Sequence, residues 1–287
     1  MQYPRLLHWF QPLKWSLAAA LVLGLAGCSN NDDDGNNVSN PPPASQQFNA
    51  ALSGEQEVPP TTSGALATGT LSFDPSTRSI IGNIVLDGMT ASAAHIHQAD
   101  VGVSGPIIVP LTETTPGTWS VPAGTALTVA QASALAAGGL YFNAHTTANP
   151  NGEIRGQIGR DVFAAQLSSA QEVPANASSA TGTGALSLDP ASKKFSARIT
   201  VTGIAATAAH IHSGTPGISG PILFPLTETA PGSGIWVSAA EATLSDAQLA
   251  LLTSGSLYFN AHSAALSGGE IRGQIGRNVR FARLSAT

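Results

Sequence analysis

Six histidines, arranged as two matching sets of three, are the residues in this chain best suited to chemistry. Ala94-His95-Ile96-His97 returns as Ala209-His210-Ile211-His212, and Tyr141-Phe142-Asn143-Ala144-His145 returns as Tyr258-Phe259-Asn260-Ala261-His262. The only other histidine among the seven is His8, near the N-terminus. Side chains alternate along a strand, so His95 and His97 share one face while Ile96 points to the other. Tyr141, Asn143 and His145 share a face by the same rule. If the two strands are neighbours, three imidazoles converge. Three neutral imidazoles suit zinc or copper and leave a fourth position for water or a substrate. The candidate ligands are therefore His95, His97 and His145, with His210, His212 and His262. Asn143, Glu153 and Arg155, with Asn260, Glu270 and Arg272, are candidates to support them from outside, for example by orienting a ligand ring. Alternatively, Glu153 and Arg155 pair as surface ions worth about 0–1 kcal/mol. A competing account needs no metal, with the histidines packing and hydrogen-bonding at the edge of a sheet.

The elements that must position these residues occur twice. Phe48 to Ser53 matches Phe163 to Ser168, and Gln56-Glu57-Val58-Pro59 matches Gln171-Glu172-Val173-Pro174, at an offset of 115. The offset becomes 117 by Trp119 and Trp236, because the second copy carries two extra residues around Gly232-Ser233-Gly234. An insertion confined to a Gly-rich loop is what two copies of one fold tolerate. Units of this length are tandem domains, since solenoid repeats run to about 20–50 residues. Within the first copy the spacing predicts strands over 65–73, 79–86, 93–97, 105–109, 119–121, 141–145 and 153–158, separated by turn sequences such as Asp74-Pro75 and Asn149-Pro150-Asn151-Gly152. One helix interrupts them, capped by Thr128 and stopped by Gly138, with Ser245 and Gly255 in those roles in the second copy. Short strands with frequent turns predict an all-β fold of two tandem Greek-key β-sandwich domains, each with one short helix. Trp119, Trp236, Phe142 and Phe259 are expected in the cores. Glu57 and Glu172 are expected to form strand-entry turns, with metal ligation or partner contact as the alternative.

Composition fits this reading. Charged residues make up 10% and hydrophobic residues 43% of the 287 residues, with 30 Gly and 19 Pro, unlike a disordered chain. The net charge is −5. Without Arg5 and Lys14 there remain 10 basic and 17 acidic residues, a net charge of −7. No basic stripe exists, so a nucleic-acid partner is not expected. No phosphate loop, dinucleotide fingerprint or nucleophile elbow appears.

The N-terminal part reads as an address. Arg5 and Lys14 precede the apolar run Ser16 to Leu25, which is of signal length and short for a membrane span. It ends in Leu25-Ala26-Gly27-Cys28, which carries the only cysteine. This is similar to the lipobox of bacterial lipoproteins. The resemblance implies that residues 1–27 are a signal peptide and that Cys28 is lipidated, each buried lipid methylene adding about 0.8 kcal/mol of anchoring. Asn30, in place of an aspartate, implies the outer membrane. With its one cysteine lipidated, an exported chain has no disulfides. The remainder of 28–47 is a polar, Pro-containing linker with a mean reach of ~25 Å. Its Asp32-Asp33-Asp34 triplet lacks the Gly and distal Glu of a calcium loop. The domains are then 48–161 and 162–287.

With these fragments in hand, both copies resemble the CHRD domain family, named for the repeats in chordin and found also in bacterial exported proteins. The residues that carry the resemblance are Phe48 to Leu52, Glu57-Val58-Pro59-Pro60, His95-Ile96-His97, Gly105-Pro106-Ile107, Tyr141 to His145 and Gly152 to Ile158. The resemblance implies an extracellular all-β domain and brings no reaction with it. A more distant likeness is to copper/zinc superoxide dismutases, which also place a His-x-His strand before a Gly-rich loop on a Greek-key sandwich. This chain has three histidines per copy rather than the larger set for two metals, and lacks their disulfide, which speaks against dismutase activity. The expectation is a lipid-anchored envelope protein acting as a binding module, with a copper or zinc site per domain and a periplasmic or extracellular protein as possible partner. The alternatives are a metal-dependent redox enzyme and a structural or adhesive protein without metal.

Overall fold

In each copy the sheet closes on itself. The computed structural model describes residues 43–240 and 242–277; the expected signal peptide, Cys28 and the expected linker up to residue 42 lie outside the described residues. The first copy contains β1 (Gln46–Ser53), β2 (Leu66–Phe73), β3 (Ile80–Asp87), β4 (Ala93–Gln98), β5 (Ile107–Pro110), β6 (Thr112–Thr115), β7 (Thr118–Ser120), α1 (Val129–Ala137), β8 (Leu140–His145) and β9 (Ile154–Gln157). The second contains β10 (Asp161–Ser168), β11 (Thr181–Leu188), β12 (Lys194–Thr202), β13 (Ala206–Ser213), β14 (Ile222–Glu228), β15 (Ile235–Val237), β16 (Ala242–Thr243), α2 (Asp246–Thr253), β17 (Leu257–Ser263) and β18 (Ile271–Arg277).

The second copy runs β11-β10-β18-β17-β13-β14-β15-β12, and β12 pairs back onto β11. All of these pairings are antiparallel. The order β12-β15-β14-β13 is a Greek key, a meander of three strands with the preceding strand returned beside its far end. The first copy follows the same order. Its β5 and β6 are one strand interrupted at Leu111, whose N–H is held by the Ala94 carbonyl at 2.9 Å. The all-β, Greek-key, tandem expectation therefore holds, with the two walls of each sandwich joined into one eight-stranded ring.

Alternation builds the cores. Along β12, Phe195, Ala197, Ile199 and Val201 are buried and the residues between them are not. Ile96 and Phe142 in the first copy, and Ile211 and Phe259 in the second, are fully buried. Trp236 is also core, whereas Trp119 packs against the first core while partly buried. Both helices start with a capping box, Thr128 with Gln131 and Ser245 with Gln248. Gly138, in the left-handed conformation, ends α1. The strands β1 and β6 add to those predicted from spacing. The four residues of β6, Thr-Glu-Thr-Thr, are all exposed and carry no apolar alternation to reveal them.

Candidate metal centre

The strands β4 and β8 are antiparallel neighbours, with His97 opposite Tyr141, His95 opposite Asn143 and Ala93 opposite His145. This register brings the three predicted imidazoles to one outer patch of the ring. Ring centroids lie 5.6 Å apart for His95 and His97, 4.8 Å for His95 and His145, and 5.8 Å for His97 and His145. In the second copy the same separations are 5.5, 5.0 and 6.0 Å. One ring nitrogen from each member lies within 4.8 Å of the others in both triads. Three nitrogens bound to one ion at about 2.0–2.1 Å stand roughly 3.3–4.2 Å apart, so small ring rotations suffice.

Hydrogen bonds fix which nitrogens face inward. His97 donates from Nδ1 to the Gly105 carbonyl at 2.9 Å, and His145 donates from Nδ1 to the Pro150 carbonyl at 3.1 Å. A carbonyl can only accept, so both rings carry their proton on Nδ1 and keep a lone pair on Nε2. The Nε2 of His145 lies 3.0 Å from Nδ1 of His95. The Nε2 of His97 is buried with no hydrogen-bond partner, as is that of His212. The second copy repeats the bonds, His212 to Gly220 at 3.0 Å, His262 to Ser267 at 3.1 Å and His210 to His262 at 3.1 Å.

Burial keeps the imidazoles neutral. It pushes His95 down to about 4, helped by the neighbouring His145 and His97. It also lowers His97, His145, His210, His212 and His262. A set of neutral nitrogen donors without carboxylate or thiolate, one of them orphaned in the interior, fits zinc or copper and does not fit calcium or magnesium.

The loop between β4 and β5 supplies the Gly105 carbonyl, and only glycine fits there. A Cβ on Gly105 would stand 2.0 Å from the Gln98 carbonyl oxygen, and one on Gly220 would stand 1.7 Å from that of Ser213. Arg155 anchors this loop. It is fully buried and donates to the carbonyls of Val103 at 2.7 Å and Asp100 at 2.9 Å and to Gln157 Oε1 at 3.1 Å. Its guanidinium lies 3.5 Å over the Tyr141 ring, and Tyr141 stacks on His97 at 5.0 Å and 14°. Arg272, Tyr258 and His212 repeat the stack. Arg155 thus supports His97 through a loop and a ring, not through a direct bond.

Glu153 does not pair with Arg155. Its carboxylate accepts from Ser63 at 2.8 Å, Thr146 at 2.5 Å and Asn149 at 3.3 Å, bracing the turn that carries Pro150. Glu270 accepts from Ser178 at 2.6 Å. Asn143 lies between His95 and Arg155 across the strands and hydrogen-bonds the Glu57 carboxyl; Asn260 donates to Glu172 at 3.0 Å. These two glutamates are the site residues that spacing misread. They follow short 3-10 turns, but their side chains fold inward, to 6% and 9% exposure. Burial raises Glu57 to about 7 against the pull of Arg155, and raises Glu172 as well. Their presence as Gln-Glu-Val-Pro in both copies was the available signal.

The family model for the CHRD domain matches residues 48–158 and again 163–275. The chain belongs to the CHRD family. Together the two matches cover more than half of the chain and coincide with the two rings. No curated protein shows significant similarity to it. Each CHRD domain therefore carries its own histidine triad on its own β4–β8 or β13–β17 pair.

Proposed function

We propose that each CHRD domain binds one copper or zinc ion, through His95, His97 and His145 or through His210, His212 and His262. In this reading the chain is a binding module of the cell envelope, anchored by lipid on Cys28. The observation that carries the metal reading is the buried, unpartnered Nε2 of His97 and of His212 beside two further ring nitrogens. Leaving such an atom unsatisfied costs about 1–3 kcal/mol, a cost that a bound cation removes. The anchor rests on the Leu-Ala-Gly-Cys sequence alone. An outer-membrane position and a periplasmic or extracellular protein partner remain parts of this proposal.

Metal analysis of the chain lacking its first 28 residues tests it. About one copper or zinc per domain is expected, and none in a His97→Ala/His212→Ala variant that still melts cooperatively. A folded protein that takes up neither metal leaves a structural or adhesive module. A redox enzyme is the second reading, favoured because three nitrogens leave a coordination position open beside the partly exposed His95. Turnover of superoxide or a related oxidant by the loaded protein would establish it.

A further inference from the structure

The two CHRD domains meet through unlike faces. From the first domain come the loop after β1, which carries Glu57, and the loop after β4, which holds His97 through the Gly105 carbonyl. Val101 and Val103 line a crevice with Arg198, Val237 and Ala240 of the second domain. Val58 and Pro59 line another with Thr183, Ala185 and Thr200. Gly102 lies against the Arg198 side chain, and Arg160 pairs with Asp189 at 3.2 Å. The receiving surface is the outer face of β11 and β12.

A junction of unlike faces leaves one of each uncovered. On the second domain the corresponding loops stand open. Val173 is 39% and Ile218 60% exposed, where their counterparts Val58 and Val103 are partly buried. On the first domain no described residue covers the outer face of β2 and β3, with Ile81 75% and Val85 47% exposed. The offset of 115 places Ile218 where Val103 stands, Ile81 where Ser196 stands and Val85 where Thr200 stands. The uncovered receiving face carries Ile81 and Val85 where Ser196 and Thr200 stand, and Thr70, Asn83 and Ser120 where Ala185, Arg198 and Val237 stand, so its apolar surface is concentrated on β3.

We propose that a second copy of this chain docks head to tail, the loops of one second domain seating on β2 and β3 of the next first domain. The contact repeats the one inside the chain, with Ile218 against Ile81 where Val103 and Ser196 line one crevice. Such a heterologous contact does not close on itself by symmetry and gives rings or open linear arrays. Between copies it lacks the ~mM effective concentration that a short covalent link supplies. It is therefore expected at high protein concentration or where chains are crowded on a surface. Each docking event would cover the loops after β10 and β13 of one second domain. The proposal does not depend on metal binding.

The test uses the chain lacking its first 28 residues, in sedimentation and in cysteine cross-linking. Concentration-dependent growth past the dimer is expected, or a closed ring of defined number, and Ile218→Asp should abolish either. An Ile81→Cys variant mixed with an Ile218→Cys variant should cross-link to each other and not to themselves. Both sites are exposed, so each variant should keep the parent's melting temperature. A chain that stays monomeric at every concentration overturns the proposal. So does association that Ile218→Asp leaves unchanged, or a symmetric dimer in which Ile81→Cys links only to itself.

Discussion

Nδ1 of His95 lies 3.0 Å from Nε2 of His145, whose own Nδ1 is already committed to the Pro150 carbonyl. His145 can only accept in this pair, so without an ion the proton between the rings belongs to His95. The metal-free protein must therefore refuse further protons at the triads. The histidines are lowered from 6.5, His95 to about 4. Below 6.5 the unfolded chain binds protons that the folded chain does not, so stability falls as pH drops from 6.5 towards 4. Glu57 has the opposite sign. Raised from 4.5 to about 7, its stabilising contribution is complete below 4.5 and is lost as pH rises through 7. Thermal melts of metal-free protein across this range should show a steep acid limb, flattened in a His95→Gln/His210→Gln variant. Glu57→Gln should keep the acid limb and gain stability above pH 7. Because the two signs oppose, the decisive curve is that of a Glu57→Gln/Glu172→Gln variant, and a melting temperature there independent of pH between 4 and 6.5 would contradict the histidine assignment.

Arg155 donates to two loop carbonyls while stacked on Tyr141. Arg155→Ala should destabilise the first domain by about 3–5 kcal/mol, because it strands buried acceptors and the Glu57 carboxyl. Arg155→Lys should rescue little, since an ammonium offers neither the planar fork nor the stacking surface. Denaturant melts of both variants, compared with Arg272→Ala and Arg272→Lys, check this.

Gly152 and Gly269 hold φ of +134° and +137°, and a Cβ at Gly152 would lie 2.6 Å from Glu57 Oε1 and 2.7 Å from Asn143 Nδ2. Alanine at either position should cost about 1–3 kcal/mol of backbone strain. It should also displace the buried glutamate, seen as a shift in the pH dependence above 4.5. Unchanged melting temperatures in both alanine variants would show that neither close approach matters.

Copper or zinc should raise the melting temperature, and a chelator should reverse the rise. An ion at a hundred times its Kd contributes about 2.7 kcal/mol per site. The His97→Ala variant should keep the rise in the second domain alone. A rise that survives His97→Ala/His212→Ala unchanged would place the ion elsewhere.

The fold was legible in the sequence wherever burial writes a period. Ile96 between two histidines, and Phe142 between Tyr141 and Asn143, reveal strands with one apolar and one polar face, and the repeated copy fixes which residues belong together. The triad was legible for the same reason. Two strand faces could be deduced, and only their adjacency had to be supplied by the fold. Glu57 was not legible, because a carboxylate before Val-Pro looks like a surface turn, and only the fold shows the 3-10 turn rolling it inward. Arg155 was half legible. Its strand face could be read, but its partners are backbone carbonyls of Asp100 and Val103, and no pattern of side chains announces them.

Because β12 pairs with β11, and β5 and β6 follow one another through Leu111 as one strand, unpaired amides among the described residues are confined to short stretches rather than a long open margin. A passing extended segment finds little to template on, so crowding should not drive these domains into cross-β fibrils. Neighbours can then meet only through loops and outer faces, in contacts that come apart without unfolding either partner.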